Sequence, residues 1–422
     1  MFFSDINWYF ARLKEFNLDD GYANIGSCDI LFYCHDANRG VNLNGQAYSP
    51  LIDSLKDRFD AQGYVCQTIA QPWSVLIGDL AYGRPIAINR RYFFAKMLKS
   101  VFLFMRIKDP VVRLFESIFV KSNPKLIITI GCGDEFCEAA RNLGFLHMEL
   151  LHGIGYTSIP WKWDEKPKKN LPQGVISLDP VSTKTFSDLS KHGVLIKEIQ
   201  HPFLSRFQGN MSHDIPAEWL PVAREKKYKK EVLVSLQWGY LAGVDEFPFF
   251  KGLLSNGLFY EELAEVVKKT ADTVLWRFRF HPVQYRQYGK YRGIFEFIEN
   301  FTSENDNCEW KEATYIPLPS LLLRCSGHIT MSSMTSYEAA YLGVPTLALD
   351  PSLEVGGIYE DVFHDLVQNG YLTKSRPSVA AIYNWLCKAE RKEFLLKNLS
   401  CNEELDLERL IELGLSGSLG VN

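Results

Sequence analysis

Short apolar runs rich in β-branched residues alternate with longer amphipathic stretches along most of this chain, and the alternation stops once and then resumes. Buried strands alternating with helical segments build a parallel sheet covered by helices, so this pattern confines the fold to the doubly wound α/β class. In the first half it predicts strands at Asp29–Tyr33, Tyr64–Ile69, Lys125–Ile130, Phe145–Leu151, Gly174–Leu178 and Val194–Ile199, with helices over 49–62, 92–121, 134–143 and 180–191. From His201 to Lys230 the chain changes character. It carries three prolines, few periodic apolar residues and the basic cluster Arg224, Lys226, Lys227, Lys229 and Lys230, and it reads as a linker. Strands then return at Val232–Leu236, Thr273–Phe280, His328–Met331 and Thr346–Leu349, with helices near 259–270 and 285–300 and at Leu318–Arg324 and Ser336–Leu342. The expected organisation is one domain over 1–200, a hinge over 201–230 and a second domain over 231–422, with a ligand cleft between the carboxyl ends of the two sheets.

Composition narrows the function classes. The 46 basic and 50 acidic residues give a net charge of −4, so the whole-chain field attracts neither nucleic acid nor an anionic membrane. No nucleic-acid partner is expected. Nine cysteines form an odd set without a CxxC, the closest pair being Cys132 and Cys137, which argues against a disulfide framework or a zinc ribbon and for no metal site. The opening Met-Phe-Phe is followed at once by Ser4 and Asp5, unlike a secretory signal. Residues 101–120 are interrupted by Arg106, Lys108, Asp109, Pro110, Arg113 and Glu116, short of the ~20 apolar residues of a spanning helix. A cytoplasmic protein is expected.

The most informative segment is His328 to Leu349, HITMSSMTSYEAAYLGVPTLAL. A strand delivers the hydroxyls of Ser332, Ser333, Thr335 and Ser336 into the first turn of a helix, where N–H groups and the helix dipole favour an anion; the pattern predicts a phosphate cradle, with Glu338 placed to reach a ribose hydroxyl. An ordinary Ser/Thr N-cap has the same local residues. Upstream, WRFRFHP ends a strand whose alternation sends Trp276, Phe278 and Phe280 to one face and Arg277, Arg279 and His281 to the other. Pro282 stops that strand and sets His281 at the sheet's carboxyl edge, where a protonated imidazole suits a phosphate.

In the first half, LLHGIG ends a strand in His152 and LIITIGCGDEF ends another in a glycine turn carrying Asp134 and Glu135. Either feature supplies a general base, and two adjacent acids also suit a helix start. The first strand ends in Cys34, His35 and Asp36, with Asp36 a further acid-base candidate, and continues into a polar loop over 38–45 suited to a hydroxylated acceptor. A complete GxGxxG is absent, so no nicotinamide cofactor is expected. The run Tyr156–Lys169, with Trp161 and Trp163 among Lys162, Lys166, Lys168 and Lys169, reads as a surface for sugars or lipid headgroups.

These motifs resemble the GT-B glycosyltransferases of bacterial surface polysaccharide assembly, in particular the group of capsule Kdo transferases, sialyl- and polysialyltransferases and teichoic-acid glycerophosphotransferases. The resemblance covers 231–350 well and only isolated turns of the first half. It implies two Rossmann-like domains. It also implies that His281, Ser332 and Ser333 hold the phosphate of a nucleotide donor and that His152 or the Asp134/Glu135 pair acts in catalysis; the residue pattern adds Arg279, Thr335 and Glu338 to the donor site, and the donor expected is a CMP- or UDP-linked sugar. The acidic-acidic-Gly triplet of the sialyltransferases occurs only as Asp19-Asp20-Gly21, and Gly133-Asp134-Glu135 reverses it, which counts against CMP-sialic acid. The implied activity is metal-independent transfer of a sugar to a lipid-linked O-antigen or capsule glycan, with no cofactor, at the inner face of the plasma membrane or beside other assembly enzymes. Transfer of a polyol phosphate is an alternative, and a non-catalytic two-domain sugar- or nucleotide-binding protein is a second.

Overall fold

The computed structural model describes residues 18–101, 108–207, 215–221, 227–244, 250–393 and 412; Met-Phe-Phe, Ser4, Asp5, Arg106, Arg224 and Lys226 lie outside them. The described chain divides into two compact units, one running to Phe203 and also taking in residue 412, the other running from Leu204 to 393. No helix among the described residues is long and apolar enough to cross a membrane.

The first unit is built on β1 (Ile30–Cys34), a hairpin of β2 (Val41–Leu43) and β3 (Gln46–Tyr48), then β4 (Cys66–Ala70), β5 (Leu126–Ile130), β6 (His147–Leu150), β7 (Gly174–Ser177) and β8 (Leu195–Glu198). Six strands form one sheet in the order β4-β1-β5-β6-β7-β8, with every pairing parallel. All five residues of β1 and of β5 are buried, as a strand covered on both faces requires. The strand order reverses between β1 and β5, which sets a ligand crevice at their carboxyl ends.

Two local signals reshape the sequence expectation here. The polar loop over 38–45 is the β2–β3 hairpin, turned by Asn44 (φ 52°) and Gly45 (φ 79°), both left-handed as an Asn-Gly hairpin turn demands. The long helix expected over 92–121 is two, Asn89–Val101 and Pro110–Ser122. Asp109 restarts the chain by accepting from the Val111 amide at 2.8 Å, with Pro110 in the first helical position. Helix Asp134–Leu143 matches its expected bounds, since acids fill its first turn and Gly144 closes it at φ 73°.

The second unit contains β9 (Lys230–Ser235), β10 (Val274–Arg279), β11 (Cys308–Glu309), β12 (Gly327–Thr330), β13 (Thr346–Ala348) and β14 (Leu372–Lys374). Their order is β11-β10-β9-β12-β13-β14, again all parallel, with the reversal between β9 and β12. Trp276, Phe278 and Phe280 enter one large apolar core with Phe259, Phe295 and Phe301. Each such side chain contributes about 1.5–3 kcal/mol by leaving water. On the opposite face Arg277 is buried and donates to Glu231, Glu309 and Glu312 at 2.6–2.7 Å. The strand β14 and the helices His364–Gln368 and Val379–Lys388 add to the expected elements. Lys230, from the basic cluster, donates to the Leu386 and Ala389 carbonyls at the end of the last of these helices.

Candidate functional site

In the second unit, parallel pairing brings the carboxyl ends of β10, β9 and β12 side by side, and a functional side chain leaves each. His281 follows β10. Its backbone N–H donates to Gln284 Oε1 at 2.9 Å and its Nδ1 accepts from the Val283 amide at 3.2 Å, a reciprocal cap on the short helix Pro282–Arg286. With Nδ1 used as an acceptor, the ring carries its hydrogen on Nε2. Burial, then Arg286 and Arg279, push the ring down to about 4, so it is neutral at pH 7. Its Nε2–H is then a neutral donor. Trp238 lies beside it, ring centroids 6.1 Å apart and 37% exposed.

Ser332 and Ser333 follow β12. The Ser332 amide donates to Gln237 Oε1 at 2.5 Å, so a side chain leaving β9 fixes the hydroxyl turn at the point where strand order reverses. Ser333 Oγ accepts from the Thr335 amide at 3.3 Å, and Thr335 Oγ1 lies 3.4 Å from His328 Nε2, so one hydroxyl has its partner within the turn and the other in β12. His328 is itself held by Ser235 and Thr346 at 2.9 and 3.0 Å. The helix Thr335–Tyr341 has only seven residues, which leaves hydroxyl and N–H donors rather than a long dipole as the local means of holding an anion. Arg279 Nη1 donates to the Ala313 and Ile316 carbonyls, at 2.5 and 2.7 Å. Burial pushes the Glu338 carboxyl up to about 7, against the pull of Arg279. The structure thus sets His281 and Ser332 along one sheet edge, with Arg279 and Glu338 as an interacting pair. Gln237 and Trp238 were missed in the sequence because SLQWGY has no motif; its only signal is its place after a strand.

In the first unit the acidic candidates are held by partners. Asp134 accepts from Lys166 Nζ at 2.8 Å and Asn170 Nδ2 at 3.1 Å. Burial raises Glu135, but Lys96 and Lys99, both at 2.8 Å, outweigh it and hold the carboxyl down at about 2. Asp36 Oδ2 accepts from the Val75 and Leu76 amides, clamping a neighbouring loop. His152 is different. It is exposed after β6, with Trp161 at 5.7 Å between ring centroids and the Tyr156 hydroxyl 3.4 Å from either nitrogen. Desolvation lowers its pKa below the ordinary histidine value, with Glu149 working the other way, which leaves a neutral ring able to accept a proton. Trp163 enters the core with Phe186 and Leu171, so of the two tryptophans only Trp161 presents an exposed ring.

Glu149, a buried carboxylate in β6, accepts from the Thr129 hydroxyl and from the Gly131 amide. Gly131 stands at φ 78°, where a side chain would be strained, and the carboxylate holds it there. Behind this turn Cys132, Cys137 and His147 gather donor atoms within 4.8 Å of one another.

No known protein family matches the sequence, and no curated protein matches it. Solved structures do. UDP-GlcNAc 2-epimerase from Methanocaldococcus jannaschii in complex with UDP-GlcNAc and UDP is similar with a TM-score of 0.52 and 10% identity, over 91% of this chain and 99% of that one. A second structure of that organism's enzyme gives 0.51 and 11%, over 91% and 99%. A structure described as the glycotransferase of kitacinnamycin gives 0.48 and 14%, over 93% and 98%. At such identities the likeness is one of architecture, and the two doubly wound units have the GT-B fold.

Proposed function

We propose that this protein is a GT-B glycosyltransferase that moves a sugar from a nucleotide donor onto a growing lipid-linked cell-surface glycan. The observation that carries this reading is the row of donors at the reversal of strand order in the second unit: His281 with hydrogen on Nε2, then Gln237 and Trp238, then the Ser332 turn that Gln237 holds. A fixed N–H and hydroxyls at the carboxyl edge offset charge as it develops on a leaving phosphate, a metal-independent route. The strands that lead to His281 and Ser332 flank β9, two strand spacings or about 10 Å apart, and a UDP-linked sugar is the donor proposed. The exposed Trp238 ring offers a stacking face for the base.

His152 then takes the acceptor's proton. Transfer needs one base, whereas inversion of a carbon by proton removal and return needs an acid-base group on each face. Of the first-unit candidates, Asp134, Glu135 and Asp36 are engaged by cations or amides, and His152 alone is an exposed neutral base. The O-antigen or capsule destination and peripheral contact with the inner membrane or with other assembly enzymes complete the proposal.

A second reading, 2-epimerisation of UDP-GlcNAc, is motivated by the enzymes with which the chain shares its fold. UDP-GlcNAc incubated with the protein in deuterated water separates the two: deuterium at the sugar C2 without acceptor overturns transfer. Polyol-phosphate transfer would leave phosphorus in the product, which mass analysis reads. Calorimetry with UDP, CMP and GDP tests the site itself. His281→Ala is expected to weaken UDP by about 10- to 100-fold, the weight of a hydrogen bond to a charged group. Equal affinity in both proteins removes His281 from the donor site.

A further inference from the structure

We propose that Cys132, Cys137 and His147 of the first unit form a binding site for one Zn2+ ion. The three come from three different places: the turn after β5, the helix Asp134–Leu143, and the first residue of β6. Cys137 and His147 are fully buried and Cys132 is partly so. The sulfurs lie 3.6 Å apart. Two thiolates on a tetrahedral zinc, each with a bond of about 2.3 Å, stand about 3.8 Å from one another, so the pair already has a chelating separation.

The histidine supplies the second, independent observation. Glu149 is a carboxylate acceptor for the Thr129 hydroxyl, so Thr129 uses its hydrogen there and meets His147 Nε2, at 2.7 Å, with an oxygen lone pair. Nε2 therefore carries the ring hydrogen. Nδ1 is left with a lone pair, is buried and has no hydrogen-bond partner. A buried imidazole with one nitrogen fixed by a carboxylate–hydroxyl relay and the other unmatched is arranged as histidines are arranged around metals. One of the ring nitrogens lies within 4.8 Å of both sulfurs. Two thiolates neutralise Zn2+, so the buried group carries no net charge, and their two protons pass to solvent on binding. Sulfur and imidazole donors select zinc over magnesium or calcium. Three protein donors leave a fourth position for water. Zinc there ties the Gly131–Gly133 turn to β6, independently of the donor chemistry assigned to the second unit.

The test uses the full chain, reduced and stripped by chelator. Calorimetric titration with ZnCl2 is expected to give one ion per chain and release of two protons, read from buffer dependence. Co2+ in its place is expected to give a thiolate charge-transfer band. Thr129→Val, which breaks the relay and keeps all three donors, is expected to weaken Zn2+ by about 10- to 100-fold. Wild-type uptake no greater than that of the Cys132→Ser, Cys137→Ser double variant overturns the site. If the substituted chains do not fold, the wild type alone decides: absence of the cobalt–thiolate band at one equivalent overturns it. So does a stripped protein that merely oxidises to a species two hydrogens lighter and takes up no zinc.

Discussion

The amide of Ser332 donates to the side-chain oxygen of Gln237 at 2.5 Å, joining the ends of two strands between which the order of the second sheet reverses. Without that acceptor the turn loses the contact that aims it. Gln237→Leu is expected to weaken UDP by about 10-fold or more, since a partly buried N–H is left unmatched. Gln237→Glu keeps an acceptor and adds a negative charge beside the proposed phosphate, so it is expected to preserve the melting temperature while also losing UDP. Calorimetry and thermal melting check both, and unchanged UDP affinity in the two variants removes this edge from the donor site.

Arg277 is the sequence feature whose role the structure changes most. It shares a strand face with Arg279 and His281, yet it lies wholly buried against Glu231, Glu309 and Glu312. Its work is cohesion between β9, β10, β11 and the segment after β11. Arg277→Met removes the guanidinium that three carboxylates share and leaves Glu231 paired with Arg324, and breaking a buried ion pair in this way costs about 3–5 kcal/mol. Urea denaturation should show a large loss; a midpoint within error of the wild type would mean that solvent reaches these carboxylates.

The alternation of apolar runs was enough to place ten of the fourteen strands, all but the short β2, β3, β11 and β14, because buried parallel strands leave continuous β-branched runs that sequence displays directly. Strand order was hidden, since it depends on pairing between distant segments. Site residues split along the same line. His281 announces itself by Pro282 and the Ser332 turn by its hydroxyls, whereas Gln237 acquires meaning only from a neighbour 95 residues away. Glu149 sits in an apolar strand, an oddity whose purpose appears only with the Gly131 turn in place. Asn44-Gly45 and Asp109-Pro110 were readable local signals that the broader periodicity masked.

His152 gives the clearest kinetic expectation. Positioned proton transfer typically supplies about 10²–10⁴-fold, so His152→Ala should reduce turnover by that factor and leave UDP binding unchanged. Because its pKa is lowered, the base form persists as pH falls from 7, and activity should decline only below the usual histidine range. Asp134→Asn and Glu135→Gln should cost less turnover than His152→Ala. A variant of either acid that loses more than His152→Ala moves the base to that carboxylate.

Acid sensitivity follows from His328. Both its nitrogens are occupied, by Ser235 and Thr346, and burial pushes its pKa down to about 3. In the unfolded chain the ring takes a proton near pH 6.5, so between there and pH 3 the unfolded state binds a proton that the folded state refuses, and stability falls as pH falls. At about 1.4 kcal/mol per pH unit, one such histidine removes about 3 kcal/mol between pH 6.5 and 4.5. His281, held at about 4, acts in the same direction in this unit. His328→Gln retains hydrogen-bonding groups and cannot titrate. It should therefore narrow the gap in melting temperature between pH 7 and pH 4.5 by roughly 6–12 °C, at about 2–4 °C per kcal/mol. A gap as wide in the variant as in the wild type would show that His328 takes up its proton without unfolding the sheet around it.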